Sequence, residues 1–286
     1  MRRPLNGTGM SSSTRQRRER ILNEVYETGH VSVSNLAAAC AVSEATVRRD
    51  LRSLARTHPI ELVYGGASLV RSCDFSFRSK SMRNIEAKKI IGRLAADLVE
   101  DGDTIFLDSG TTCFEMAPFL KRRRSLSVIV NSARLAMELD APGLNVILLG
   151  GKYRPERMDT IGPIAISTLD QLRGYLAFIG ADGLSMNFGL TASDIDSASL
   201  YRLAVRNAGK TVLVADNSKF VSPSLFKIVD FEAISKVVTE KPPGDEWTRF
   251  FASRGIELIC QSQGIPQGQK GASGGAPQPR LAPARR

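Results

Sequence analysis

The chain has 286 residues, 42% of them hydrophobic, with a formal net charge of +10 and a pI of about 9.7. This length and apolar content support one large or two ordinary folded domains, which excludes a wholly disordered protein. The positive charge favours an anionic partner, either nucleic acid or a membrane surface, and no apolar run approaches the roughly 20 residues that a membrane-spanning helix needs.

The 4 cysteines and 2 histidines are scattered along the chain and match no metal-ligand spacing, so we predict no metal and no cofactor. We expect the cysteines to be free thiols in a reducing cytoplasm. The basic N-terminus is followed by a polar stretch where a signal peptide has an apolar core, which also favours a cytoplasmic protein.

Both ends of the chain are predicted to be disordered tails. Residues 1–13 are rich in Ser, Gly and Arg, and residues 262–286 are dominated by Gly, Pro, Gln and Ala, with basic but no acidic side chains. Such segments bury too little apolar surface to offset the entropy lost on ordering.

Helical periodicity begins shortly after the first tail. An amphipathic helix opens at Arg20 and ends near Gly29. Ser32 or Ser34 is placed to cap a second helix around residues 36–38.

A tight turn at residues 41–42 then leads to a third helix, which Ser43 is placed to cap. Its apolar side chains share one face, namely Val47, Leu51 and Leu54. Two short helices, a tight turn and a third helix form the plan of a helix-turn-helix.

The third helix is predicted to be the DNA-recognition helix. Three arginines fall outside its apolar face and therefore point to solvent: Arg48, Arg49 and Arg52. Side chains near the helix start would reach base edges or phosphates in the major groove: Ser43, Glu44, Thr46 and Arg48. Arginines near the first helix are candidate phosphate contacts: Arg15, Arg17 and Arg18. The alternative is a merely solvated basic face paired to Asp50 or Glu44.

Residues 60–67 are predicted to form a strand that turns at a glycine pair, as in the wing of a winged helix. Tyr64 is predicted either to lie on the sugar-phosphate backbone or to pack at the base of the wing. We place the DNA-binding domain at residues 14–70 and a linker at residues 71–83.

From residue 84 to residue 261, short strand-like and helical stretches alternate. After a helical face at residues 85–99, six short β-branched runs follow, at residues 104–107, 127–130, 146–149, 177–180, 211–214 and 236–239. This alternation predicts an α/β domain with a mainly parallel sheet covered on both faces.

Polar loops follow several of these strands, and ligands of open parallel sheets gather beyond the carboxyl ends of strands. The predicted effector-binding residues are Asp108, Ser109, Gly110, Thr111, Thr112, Asn131, Gly150, Gly151, Lys152, Asp182, Asp216 and Lys219. Backbone N–H groups and Lys219 would hold a phosphate, while Asp108 and Asp182 would accept sugar hydroxyls. The alternative is ordinary turn and capping chemistry in every loop.

Several of these motifs resemble DeoR-type bacterial transcriptional regulators. Residues 43–51 (SEATVRRDL) are similar to the family's recognition helix, with GHVSV at 29–33 before it and GGA at 65–67 after it. Residues 101–112 (DGDTIFLDSGTT) are similar to the effector-domain signature, and LGG at 149–151, FIG at 178–180 and ADNSKF at 215–220 follow in the same order.

The resemblance spans residues 14–260. It implies a winged helix-turn-helix joined to an effector domain related to ribose-phosphate isomerases, with Thr46, Arg48 and Arg49 as DNA contacts. Two stretches depart from the family pattern. Residues 56–60 replace a glycine-containing loop before the wing, and Tyr201 takes the place of a lysine within residues 197–202, where a glutamate is also missing.

The leading hypothesis is a repressor of a sugar or carbohydrate operon, which binds double-stranded operator DNA as a homo-oligomer (dimer or tetramer) and is released by a phosphorylated sugar. The departure at residues 197–202 predicts an altered effector. A sugar-phosphate isomerase with an appended DNA-binding domain is the alternative, since a fold does not dictate a function. Binding to a membrane surface is a weaker hypothesis, because the basic residues flank a helix-turn-helix and form no long amphipathic stripe.

Overall fold

The computed structural model describes residues 12–58, 60–69 and 77–261. Residues 1–11 and 262–286, which make up nearly all of the two predicted tails, lie outside the described residues. The first helix begins at Ser12, two residues before the predicted domain boundary.

The N-terminal domain has three helices and a small sheet, with bounds α1 Ser12–Thr28, β1 His30–Ser32, α2 Val33–Cys40, α3 Glu44–Leu54, β2 Ile60–Val63 and β3 Gly66–Leu69. Of the two predicted caps for α2, Ser32 is the one in place, since its Oγ accepts the amide of Asn35 at 3.1 Å. The predicted cap of α3 is also confirmed, because Ser43 Oγ accepts the amide of Thr46 at 3.3 Å. Apolar side chains from α1, α2, α3 and the sheet meet in one buried core.

The wing is an antiparallel sheet in the order β1-β3-β2. Strand β3 begins at Gly66, where a Cβ atom would lie 1.9 Å from the carbonyl oxygen of Val31. Only glycine allows β3 to approach β1 this closely. Gly66, the second residue of the glycine pair, is therefore required for the pairing of the wing with β1.

Helix α4 (Phe77–Met82) lies within the segment that the sequence assigned to a linker. Its first residue, Phe77, is buried and packs edge-on against Phe114 at 5.3 Å between ring centroids. Because Phe114 is distant in sequence, no local pattern predicts that this helix packs here.

The C-terminal domain is built on a seven-stranded sheet in the order β15-β14-β12-β9-β4-β5-β6. Every adjacent pair in it is parallel. Its strands are β4 Thr104–Leu107, β5 Leu126–Val130, β6 Leu144–Leu148, β9 Leu176–Ile179, β12 Lys210–Val214, β14 Lys236–Val238 and β15 Glu257–Ile259. All six predicted strands are present, whereas β15 was not predicted, because three residues carry too little periodicity.

Helices cover both faces of the sheet, with bounds α5 Ile85–Ala96, α6 Thr111–Phe114, α7 Ala117–Leu120, α8 Ala133–Glu138, α9 Pro163–Leu169, α10 Ile195–Asn207 and α11 Asp245–Ser253. They form two separate apolar cores, one on each face. Helices α6 and α7 are separate short helices, and Pro118 lies in the first turn of α7, where its missing N–H is tolerated.

Two smaller sheets complete the domain. Strands β7 (Lys152–Arg154) and β8 (Asp159–Ile161) form a hairpin, and β10 (Gly183–Ser185), β11 (Gly189–Ala192) and β13 (Phe226–Val229) form an antiparallel sheet in the order β10-β11-β13. In the large sheet the chain runs from β4 outward to β5 and β6, then returns to place β9 on the other side of β4. This reversal opens a crevice at the carboxyl ends of β4 and β9.

Candidate functional site

Helix α3 presents the basic face that the sequence predicted. Arg48, Arg49 and Arg52 are all exposed, while Val47 and Leu51 on the opposite face are buried in the core. Arg48 donates to Glu44 at 2.7 Å, one turn earlier, so one of the two pairings considered for a solvated face does form. This pair is exposed at both ends and is therefore weak, which leaves Arg48 available to another anion.

Asp50 anchors α3 to α1 from the buried side of the helix. It is 2% exposed, and its two oxygens accept from Arg17 Nε and Arg18 Nε, each at 2.7 Å. Arg17 and Arg18, which the sequence proposes as phosphate contacts, therefore both bind Asp50 through their Nε atoms and are mostly buried. Arg15 points to solvent and pairs with Glu19 at 3.1 Å.

Tyr64 lies in the turn between β2 and β3 and its side chain is fully exposed, with Leu62 and Val63 also largely exposed beside it. Of the two alternatives for Tyr64, packing at the base of the wing is excluded by this exposure. Gly65 completes the turn with φ +78°. An exposed aromatic ring at a wing tip is placed to touch a nucleic-acid backbone.

A cavity of about 530 Å³ opens at the carboxyl ends of β4, β9 and β12, where the strand order reverses. Eight of the predicted effector residues line it, namely Asp108, Ser109, Gly110, Thr111, Thr112, Asp182, Asp216 and Lys219. The first-turn amides of Thr111 and Thr112 have no partner within α6 by helix geometry, so they are available to an anion.

Asp108 joins the ends of β4 and β9. Its oxygens accept the amides of Gly110 at 2.7 Å and Gly180 at 2.5 Å. Burial raises the pKa of Asp108, and the two amide donors oppose that shift. Since both oxygens already hold loop amides, Asp108 shapes the pocket floor in addition to lining it.

Tyr201 is part of a buried hydrogen-bond network. Its hydroxyl lies 2.7 Å from Ser109 Oγ and accepts the Ser109 amide at 3.3 Å, while Ser109 Oγ donates to Asp159 at 3.0 Å. Burial raises the pKa of Tyr201, so the hydroxyl stays neutral. The residue at which the sequence departs from the family pattern therefore holds the loop after β4 in place.

The hairpin β7–β8 brings two arginines toward this network. Arg154 donates to Asp159 at 2.7 and 2.8 Å, to Asp194 at 3.0 Å and to Ser197 Oγ at 2.9 Å. Arg157 donates to Asp194 at 2.5 Å and also lines the cavity. Ser197, in the stretch that departs from the family pattern, thus accepts from an arginine.

On the opposite side of the cavity, lysines face the strand ends. Lys80 Nζ donates to Asp182 at 2.5 Å, and the amide of Ser193 donates to the other Asp182 oxygen at 2.8 Å. Burial alone would raise the pKa of Asp182, but Lys80 and Ser193 outweigh it and lower that pKa. The adjacent Lys88 is buried, and burial lowers its pKa to about 8.

Asp216, which follows β12, is also buried. One of its oxygens accepts from Asn84 at 2.9 Å and from the amide of Ser218 at 3.0 Å. Its other oxygen, Oδ2, is buried with no hydrogen-bond partner among the described residues. A carboxylate oxygen on a cavity wall without a donor is suited to accept a ligand hydroxyl.

Four predicted effector residues do not line the cavity. Asn131 is fully buried and its side chain donates to the carbonyl of Thr160 at 3.0 Å, which braces β5 against β8. Gly150, Gly151 and Lys152 lead from the edge strand β6 into the hairpin, and a Cβ at Gly151 would lie 2.6 Å from Ile161 O. Strand β6 is two places from β4 in the sheet, which puts its end away from the crevice.

Sequence reasoning missed several cavity residues because they come from α4, α5 and the hairpin and not from strand ends. These are chiefly Lys80, Arg83, Asn84, Lys88 and Arg157. With Lys219 included, five cationic side chains face three carboxylates around the cavity. The excess of positive charge suits a dianionic ligand such as a phosphate monoester.

Among the described helices, none has the length and apolar content to cross a membrane. The described residues also contain no group of three or more His, Cys, Asp or Glu side chains arranged to hold a metal ion.

Two family descriptions match this chain. Residues 17–73 match the DeoR-like helix-turn-helix domain, and residues 83–241 match the DeoR C terminal sensor domain. The HTH-type transcriptional regulator GlpR of Haloferax volcanii is 34% identical over 246 residues, which is 85% of this chain and 96% of that protein. A putative aga operon transcriptional repressor of Escherichia coli O157:H7 is 29% identical over 259 residues, 89% of this chain and 96% of the relative.

Among solved structures, ribose 5-phosphate isomerase A from Methanocaldococcus jannaschii aligns with a TM-score of 0.36 and 24% identity, over 48% of this chain and 55% of the other. The two family descriptions, by contrast, cover both the winged helix and the sheet domain with its crevice. The chain belongs to the DeoR family, with an N-terminal helix-turn-helix domain and a C-terminal sensor domain.

Proposed function

We propose that this protein is a sequence-specific DNA-binding repressor of a sugar-related operon, and that a phosphorylated sugar in the C-terminal pocket relieves repression. The observation that carries the DNA-binding half is the exposed Arg48, Arg49 and Arg52 face of a helix whose opposite side is locked in the core. Two relatives support this proposal by their names, an HTH-type transcriptional regulator, GlpR, and a putative aga operon transcriptional repressor.

In this proposal α3 enters the major groove. Arg49 and Arg48 reach base edges or phosphates, Thr46 and Ser43 stand at the helix start, and Tyr64 lies on the backbone from the wing. Glu44 and Arg52 complete the proposed contact surface, with the exposed Arg15 near a phosphate. Arg18 takes a supporting part, because it orients α3 through Asp50.

Fluorescence anisotropy tests the DNA half, with a duplex that the wild-type protein selects from a random-sequence pool. Arg49→Ala should weaken binding by at least about ten-fold, the effect expected of a base-contacting arginine. Arg93→Ala is the matched control, because Arg93 is an exposed arginine on α5 in the sensor domain. Equal affinities of the two variants would exclude α3 as the reading helix.

In the pocket, Lys219 and the first-turn amides of Thr111 and Thr112 are proposed to hold the phosphate. Ser109 and Gly110 shape the loop, because their own amides donate to Tyr201 and Asp108. Asp182 accepts one sugar hydroxyl, and Asp216 accepts another through the oxygen that has no partner in the described part of the chain. A thermal-shift panel of three- to six-carbon sugar phosphates, each beside its unphosphorylated sugar, tests the ligand class. Stabilisation should follow only the phosphorylated members, and Lys219→Met should lose it while Lys210→Met, at an exposed lysine, keeps it. Stabilisation by unphosphorylated sugars alone would exclude an anion site.

The isomerase alternative gains no support from the pocket. Asp108, the buried carboxylate after β4, already accepts two loop amides, and the position of the family lysine holds the neutral hydroxyl of Tyr201. A positioned base and a cationic partner are what such an enzyme needs.

We also propose self-association to a dimer or tetramer, because one recognition helix reads one half-site and paired domains read two. Light scattering after size-exclusion chromatography tests it, and a monomer that still binds the selected duplex in one-to-one ratio would exclude it.

A further inference from the structure

Helix α4 contacts both domains of the chain. At its start, Phe77 packs against Phe114 and under the guanidinium group of Arg134, 4.5 Å from the ring centroid, both in the sensor domain. At its end, Met82 packs against the apolar core of the winged helix. One short helix is thus in contact with the effector pocket's domain and with the body that carries α3.

Two lysines hold α4 in this position, and both line the pocket. Lys80, in the helix, binds Asp182 at 2.5 Å. Lys88, from α5, donates to the carbonyls of Lys80 and Arg83 at the end of α4, the second at 2.6 Å. These carbonyls lie where a helix leaves acceptors unsatisfied, so an ammonium there stabilises the last turn.

The same two ammonium groups are among the cations that an anionic ligand would meet in the cavity. A phosphate accepts strong hydrogen bonds from lysine and competes directly with Asp182 and with the α4 carbonyls. A sugar hydroxyl that donates to Asp182 competes with Lys80 for the Asp182 carboxylate. The ligand and helix α4 therefore compete for the same ammonium groups, those of Lys80 and Lys88, and for the Asp182 carboxylate.

We propose that Lys80 and Lys88 are effector-binding residues, and that the effector signals by releasing α4 from Asp182 and so shifting Met82 against the winged-helix core. This inference rests on the proposed function. It also supplies what an effector requires, namely a contact that differs between its bound and free states.

The test begins without ligand or DNA, by hydrogen exchange on the full chain. Asp182→Asn and Lys80→Met each break the same ion pair from opposite sides, and both should speed amide exchange in α4 (Phe77–Met82) and in α1 near the core by about ten-fold. Asp170→Asn is the control, because Asp170 is an exposed acid that forms ion pairs with two exposed arginines of the sensor domain. Thermal melting confirms that each variant is folded.

Unchanged exchange in α4 and α1 in both pocket variants, with the rest of the domain intact, would overturn the proposal. The second arm adds D-ribose 5-phosphate to wild type and to Lys80→Met and measures affinity for the selected duplex. The sugar phosphate should lower the DNA affinity of wild type by at least about ten-fold. At a saturating concentration of the same sugar phosphate, the DNA affinity of Lys80→Met should fall by less than about two-fold. A variant that keeps the full wild-type response also overturns it. If D-ribose 5-phosphate leaves the DNA affinity of wild type unchanged and no sugar phosphate of the thermal-shift panel stabilises it, the proposed effector class fails, and the exchange result still decides whether α4 couples the domains.

Discussion

Replacing Asp50 by asparagine separates two opposite expectations for DNA binding. Simple electrostatics predicts tighter binding, since the change removes a negative charge from the recognition helix. The structure predicts weaker binding, because Asp50 is buried and holds Arg17 and Arg18 at 2.7 Å each. Without the carboxylate, α3 loses the anchor that sets its angle to α1.

The magnitude follows from the contacts that are lost. Breaking a buried ion pair from one side costs about 3–5 kcal/mol, and one charge-assisted hydrogen bond contributes about 1.5–3 kcal/mol. The two arginine side chains are 18% and 19% exposed and can partly rehydrate, and asparagine can still accept one bond. We therefore expect a loss of about 2 kcal/mol in the stability of the winged helix and at least about ten-fold in DNA affinity.

The assay pairs anisotropy on the selected duplex with hydrogen exchange of the α3 amides in the full chain. Glu61→Gln is the control, because it removes an exposed carboxylate from strand β2 of the same domain, outside the proposed contact surface. The control should bind DNA as wild type or more tightly. Asp50→Asn binding at least as tightly as wild type, with α3 equally protected, would refute this reasoning.

Three further outcomes follow from the site. Burial lowers the pKa of Lys88 from its ordinary 10.5 to about 8 in the folded protein. Between these two pH values the unfolded chain therefore holds this proton and the folded protein does not. The contribution of Lys88 makes the free energy of unfolding rise with pH across that window. Sugar-phosphate affinity, measured by titration calorimetry, should fall as pH rises through 8, and Lys88→Arg should flatten the profile. Tyr201→Phe removes a 2.7 Å bond to Ser109, and the sensor domain should melt about 2–4 °C lower; an unchanged melting temperature would mean that this bond contributes nothing net. Gly66→Ala forces a Cβ to 1.9 Å from Val31 O, which should unseat the wing and raise exchange in β3; wild-type protection there would show that the strand can shift without penalty.

The sequence by itself determined the local elements of this protein. Ser32 and Ser43 cap helices because their hydroxyls reach amides three residues away, and six β-branched runs form strands because burial on both faces favours such side chains. The exposed arginines of α3 also follow from helical spacing alone, since Val47 and Leu51 fix which side faces the core. These are short-range effects that a window of a few residues contains.

Only the tertiary structure decided which polar groups meet. The order β9-β4-β5-β6 puts Asp182 beside Asp108 and moves the end of β6, with Lys152, away from the pocket, although all three follow strands in the sequence. It also brings Lys80 to a carboxylate 102 residues away. The basic face of α3 was visible in the sequence, but its anchor at Asp50 was not, because strand order and helix docking depend on contacts between distant segments, which no local pattern records.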